Sequence, residues 1–218
     1  MEDPKAEISQ IIHILTQAPP IQQKEAIKKY FLPNASFQHP FCRTSSWNTL
    51  ISPLTGHQYN SRWAILQIYQ WYKILSPEIN LRVLSVALDE EQLVLYVTIR
   101  QQFRIWLVYA YEADVLLTSV LKLEEGDESG PESAVAGVRG GSVGGTPNGN
   151  GRYYISAQND LYQTSEWIKF LVPWGIGYTL VTLWQSLATL MSIMGAYIFF
   201  PQTWWKQYSL GDWPPKKI

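Results

Sequence analysis

Apolar residues near the N-terminus recur at helical spacing. Ile8, Ile11, Ile12 and Leu15 share one face, so Lys5–Thr16 predicts an amphipathic helix. Pro19-Pro20 ends it, and Ile21–Phe31 predicts a second helix closed by Pro33-Asn34. Ser36–Phe41, SFQHPF, is too short for a helix and is bounded by turn formers, which predicts a brief strand. After a polar loop, Ser61–Leu75 predicts a third helix, capped by Asn60 or Ser61 and stopped before Pro77.

The period then falls to two. Ile79–Leu88 reads as extended, Asp89-Glu90 as a turn, and Gln92–Phe103 as a long alternating strand. Leu93, Leu95, Val97 and Ile99 point one way; Tyr96, Thr98, Arg100 and Gln102 point the other. Val115–Leu123 and Arg152–Tyr162 predict two more strands. They are expected to pair with each other, with Gly126–Gly151, rich in Gly, Ser and Pro, as a disordered insert at the hairpin tip. Its GxxG pieces precede no helix and lack Gly-Lys-Ser/Thr, so a phosphate loop is not expected.

This order predicts an α+β domain over 1–165, three N-terminal helices packed on a curved antiparallel sheet. Such a sheet forms a cone, and its polar face is expected to line an internal pocket. The words Ala26–Phe41, AIKKYFLPNASFQHPF, resemble the nuclear transport factor 2-like superfamily, which includes SnoaL-type cyclases and ketosteroid isomerases. The stretch YYISAQNDLYQTSEWIKFL running into an apolar tail resembles the fungal SigF-like branch. The resemblance implies a cone fold and, as one possibility for activity, a cyclase, isomerase or dehydratase.

The tail departs from the general family. No Asp, Glu, Lys or Arg occurs from Phe170 to Trp205. Tyr178–Phe200 would rise about 34 Å as a helix, enough to cross a hydrocarbon core of about 30 Å. Pro173, Gly175 and Gly177 mark its entrance and Pro201 its exit, within a membrane segment over 166–206 and before a short polar tail, 207–218. Trp167, Lys169 and Trp174 before the span, and Trp204, Trp205 and Lys206 after it, suit headgroup depth. Tyr178, Trp184, Gln185 and Phe200 are expected to meet the bilayer. A less greasy stripe, Thr182, Gln185, Ser186, Thr189, Ser192 and Ala196, would suit either intrahelical hydroxyl bonding or packing on another transmembrane helix or a second copy of this one. Lysines beyond the span leave its topology open between a single crossing and a hairpin bent at Pro173 or Ser192–Gly195; the domain is expected on the cytosolic side. Ile105–Tyr109, IWLVY, has the composition of either strand core or a loop touching an interface.

Composition narrows the remaining choices. The formal net charge is -1, and charged residues are 16% of 218, against a usual value near 25%. Without a basic excess, nucleic acid is not an expected partner. The N-terminus, acidic and then amphipathic, lacks the marks of a secretory signal. One cysteine, Cys42, and scattered histidines offer no metal set, and no cofactor is expected.

The chemistry therefore falls to a few residues. His39, at the end of the family-like strand, and Asp160 are the acid–base candidates, Asp160 either orienting His39 or acting alone. Tyr30, Tyr96 and Arg100 are the candidate ligand contacts, with Glu112 as a partner for Arg100. Three functions fit: a membrane-anchored cone binding a lipophilic small molecule or a partner segment, a membrane-associated enzyme acting on a lipophilic substrate, and a tail-anchored adaptor whose cone has no pocket of consequence.

Overall fold

A computed structural model describes residues 1–104, 112–126, 130–131, 151–172 and 175–210, excepting the side chains at 170–171, 197 and 199–210. The IWLVY stretch, most of the Gly-rich insert, Trp174 and the tail beyond 210 lie outside these residues, as do the side chains of Phe200, Trp204 and Trp205.

Three helices open the chain. α1 (Pro4–Gln17) starts on Asp3, whose carboxylate accepts the Ala6 N–H at 3.0 Å, and Glu7 returns the favour to the Asp3 N–H at 2.9 Å. α2 spans Pro20–Tyr30. α3 (Ser61–Leu75) has the predicted bounds because the Asn60 side chain accepts the Trp63 N–H at 3.1 Å and the chain turns away before Pro77.

β1 (Phe31–His39) begins directly after α2 and runs through Pro33, earlier than the predicted strand. Pro33 has no N–H to give, and the pairing of β1 slips between Phe31 and Ser36. β2 (Cys42–Thr44) folds back on it; β3 (Leu50–Ile51) and β4 (Gln58–Tyr59) form a separate small hairpin. β5 (Ile79–Asp89), β6 (Val94–Phe103), β7 (Ala113–Gly126) and β8 (Arg152–Tyr162) are the long strands.

The large sheet has the order β2-β1-β8-β7-β6-β5. β7 and β8 pair antiparallel as expected, around the insert. The sheet is mixed, however, not wholly antiparallel: β1 lies parallel to β8, with Phe37 opposite Gln158. That pair joins segments far apart in the chain, so local pattern carries no sign of its direction.

The apolar face of the sheet, not the polar one, is turned inward. Leu95, Val97 and Ile99 of β6 and Leu117 and Leu121 of β7 are buried against Ile8, Ile11 and Leu15 of α1 and Ile65 of α3. The helices cover the sheet by burying area, so the face they cover is the apolar one.

Two further helices follow the cone. α4 (Thr164–Leu171) was not predicted. α5 spans Ile176–Leu210, running through Pro201 and without a break at Ser192–Gly195, so the bend suggested there is absent. Within it, Ile176–Ala196 is long and apolar enough to cross a membrane, and Gly177, next to α4, is its one buried residue.

Candidate functional site

A cavity of about 290 Å³ lies between α1, α3 and the inner face of the sheet. Its walls are mainly apolar and aromatic: Ile12, Phe37, Ile99, Phe103 and Leu117 among them. α3 contributes Tyr69 and Tyr72 to the polar groups, and the rest come mainly from alternate positions of adjacent strands. Ser119 of β7 faces Asp160 of β8 directly, and Gln158 lies one inward position before Asp160. Gln38 pairs with Asn159, which brings His39, the next residue of β1, to the level of Asp160. The pleat thus gathers residues that the chain keeps more than a hundred positions apart.

Asp160 is held by side chains. Ser119 Oγ donates to its Oδ1, and Gln158 Nε2 donates to Oδ1 and Oδ2 at 3.0 and 3.2 Å. Gln158 is oriented in turn by Tyr69, whose hydroxyl donates to Oε1 at 2.9 Å. Asp160 is half-buried and lines the cavity wall. Burial raises its pKa to about 6, against the opposing pull of the Ser119 and Gln158 hydrogen bonds. A carboxyl titrating there exchanges a proton readily near neutrality.

His39 sits in an aromatic box beside Phe37, Phe41, Tyr72 and Tyr162. Burial lowers its pKa to about 4, so the ring is neutral at pH 7. The Phe41 backbone N–H, which can only donate, points at Nδ1 over 3.4 Å. Nδ1 is therefore the acceptor and Nε2 carries the proton. Tyr72 Oη accordingly donates to Nδ1 at 3.0 Å, and Nε2–H donates to Tyr162 Oη at 3.2 Å. Cys42 lies 3.1 Å from Tyr72 Oη and completes the chain as thiol donor; burial raises its pKa. Burial also raises the phenols of Tyr69, Tyr72 and Tyr162, keeping them protonated.

Of the predicted site residues, His39 and Asp160 both line the cavity. Asp160 is not bonded to His39; it is bonded to Ser119 and Gln158 instead, so it does not orient the imidazole. Tyr96 and Arg100 lie on the opposite face of β6, exposed, because the inward face is the apolar one. Arg100 forms a bidentate pair with Asp114, not Glu112, its Nη2 lying 2.6 Å from Oδ2. Tyr30 ends α2 under the Lys29 ammonium, 5.0 Å from its ring centroid, and borders a surface hollow with Glu7 and Arg152 rather than the cavity.

Tyr69, Tyr72, Ser119, Gln158 and Tyr162 escaped the sequence reading. Two signals could have found them. Gln158, Asp160 and Tyr162 form a period-two polar row in β8, and Ser119 interrupts the buried apolar row of β7.

Helices on one face of a curved sheet, closing over an internal cavity, define a cone of the nuclear transport factor 2-like superfamily. The model of the SigF NTF2-like domain matches residues 1–130, and the chain belongs to that family. No curated protein matches the sequence. Among solved structures the chain is similar to the epoxide hydrolase/cyclase-like enzyme SalBIII of pyran ring formation in salinomycin, at 11% identity and a TM-score of 0.45, over 76% of this chain and 97% of that one. It is also similar to a protein described as a SnoaL-like polyketide cyclase from Shewanella putrefaciens, at 10% identity and a TM-score of 0.42, over 78% and 86%. An epoxide hydrolase of the LEH-like kind from M. tuberculosis aligns at 6% identity and a TM-score of 0.43, over 77% and 90%.

Proposed function

We propose that the protein holds a lipophilic small molecule in the cone and is tethered to a membrane by α5. The carrying observation is the cavity itself: about 290 Å³ of mostly apolar and aromatic wall with a few convergent polar groups at one side. That size is near the lower end of the roughly 300–1,000 Å³ usual for ligand pockets, and the mix of walls is usual too. An apolar body would displace poorly held water, while a hydroxyl or carbonyl on the ligand would meet Asp160 and its neighbours. The 21-residue stretch Ile176–Ala196, uncharged and exposed almost throughout, supports the tether. The test is mass spectrometry of small molecules that co-purify with the full chain in mild detergent, against Leu117→Phe, which fills the cavity from its wall. An apolar molecule enriched on the wild type and depleted on the variant is expected; equal profiles would sink the reading.

A second reading, conversion of that molecule by acid–base chemistry, is favoured by Asp160. A carboxyl with its pKa near 6, fixed by two donors beside an apolar cavity, is suited to take a proton from carbon next to a carbonyl and return it elsewhere. Neutral His39 would then supply a polar wall rather than a charge. Incubating the co-purified molecule with fresh protein decides it: product that Asp160→Asn abolishes, with retention of the molecule intact, establishes the enzyme.

A further inference from the structure

The cavity and the membrane-competent helix meet at one end of the cone. β8 ends at Tyr162, which reaches His39 at the cavity wall, and α4 starts just after it at Thr164. The first residues of β7 pair with β6 but have no neighbour on the β8 side, where the pairing stops at Leu117 opposite Tyr162. Side chains of α4 take the vacant place. The Leu116 N–H donates to Glu166 Oε2 at 2.9 Å, and Lys169 Nζ donates to the Asp114 carbonyl at 2.8 Å. Glu166 and Lys169 also pair with each other at 2.9 Å.

α5 is fixed on α4 with similar closeness. A Cβ at Gly177 would lie 2.9 Å from Val172 Cβ and 3.0 Å from Ile168 Cγ1, a distance only glycine permits. Gly175, at φ +77, makes the turn between the helices, and Lys169 Nζ lies 5.6 Å from the Tyr178 ring centroid. The link is therefore a clamped elbow and not a loose tether.

The cavity opens at this same end. Its exposed lining residues are Phe41, at 44%, and Trp71, at 56%, with Ile74 beside Trp71 at 58%. Phe41 presents its ring edge-on to Trp167 of α4, centroids 6.1 Å apart. The Arg104 N–H donates to Ser76 Oγ at 3.0 Å, tying the end of α3 to the end of β6 at the same rim.

We propose that the rim formed by Phe41, Trp71 and Ile74 seats on the bilayer, so that the cavity fills directly from the lipid phase. This rests on the reading that α5 enters a membrane. Aromatic and aliphatic side chains at a mouth held against the surface lose exposed area on contact, and Trp is suited to headgroup depth. A molecule passing from acyl chains to an apolar cavity through that contact never hydrates its apolar surface, which removes the main barrier to exchange. The elbow gives the mouth its direction.

The test places the full chain in phosphatidylcholine vesicles doped with a phospholipid carrying a diazirine in its acyl chain. After irradiation, lipid adducts are mapped by mass spectrometry. Adducts are expected on Ile176–Ala196 and on the rim. Gly177→Val, which forces the elbow apart, and the exposed double change Trp71→Glu/Ile74→Glu are each expected to lose the rim adducts while keeping those on α5. Adducts on α5 with none on the wild-type rim overturn the proposal and leave the membrane reading standing. A wild type with no adducts on α5 overturns both.

Discussion

At the scale of single residues, Asp160 and His39 carry opposite and nearly equal penalties. The folded protein raises the Asp160 pKa to about 6, so the native state binds a proton that the unfolded chain has released. Its contribution to stability therefore falls as pH rises from about 4 to 6. The folded protein lowers the His39 pKa to about 4, so the unfolded chain takes the proton first. That contribution falls as pH drops from about 6.5 to 4. Each swing is about 3 kcal/mol from shifts of two to two and a half pKa units, and in the wild type they offset one another. Asp160→Asn is expected to leave the effect of His39 unopposed, with stability rising steeply from pH 4 to 6.5. His39→Gln is expected to leave the effect of Asp160 unopposed, with stability falling over the same window. Urea unfolding at half-unit pH steps measures both. Parallel, flat profiles in the two variants would show that neither group is desolvated as described. His39 and Asp160 were legible as candidates because each is a titratable residue in a strand-like word. Tyr72, which bonds His39, and Gln158, which bonds Asp160, were not, since nothing local says which strands α3 faces.

At the scale of elements, the legible parts were those whose limits are written in neighbouring residues. α3 kept its predicted bounds because Asn60 caps one end and Pro77 follows the other. Asn60→Ala is expected to cost about 1 kcal/mol, the usual worth of an N-cap, read as a lower urea midpoint with an unchanged slope. Because α3 carries Tyr69 and Tyr72, fraying should reach amide exchange in its first turn while the turn bearing Tyr72 stays protected. Uniform loss of protection along α3 would mean that the helix behaves as one unit with the cone. The β7–β8 hairpin was legible too, since two alternating runs flank a segment with nothing to bury. Three features were not. The parallel β1–β8 pair is non-local, α4 lies inside a segment whose apolar character reads as membrane approach, and the inward face of β6 is decided by which side the helices cover. Tyr96 and Arg100 were placed inward on the premise that a pocket needs a polar lining; β6 contributes Gln101 from its inward row instead, and the other polar groups come mainly from β1, β7, β8 and α3.

At the scale of the whole molecule, the question is what covers α5. Tyr178, Trp184 and Leu190, spaced about 120° apart around the helix axis, are 45%, 70% and 55% exposed. A second copy packed along one stripe would leave the remaining sides uncovered. Nor does the small-polar stripe require such a partner: Thr182, Ser186, Thr189 and Ser192 each donate to the carbonyl four residues earlier, at 2.8–2.9 Å. Hydrocarbon covers every side at once, which is why membrane insertion is the proposal that α5 fits best. The full chain is then expected to stay with native membranes through an alkaline carbonate wash. An aspartate at the centre of a span costs about 2.5–3.5 kcal/mol on insertion scales, so Leu183→Asp with Leu187→Asp adds about 6 kcal/mol. That is enough to release most of the protein, while the far-UV signal of the cone stays unchanged. Release of the wild type under the same wash would mean that protein, and not lipid, buries this helix, and the tether would have to be abandoned.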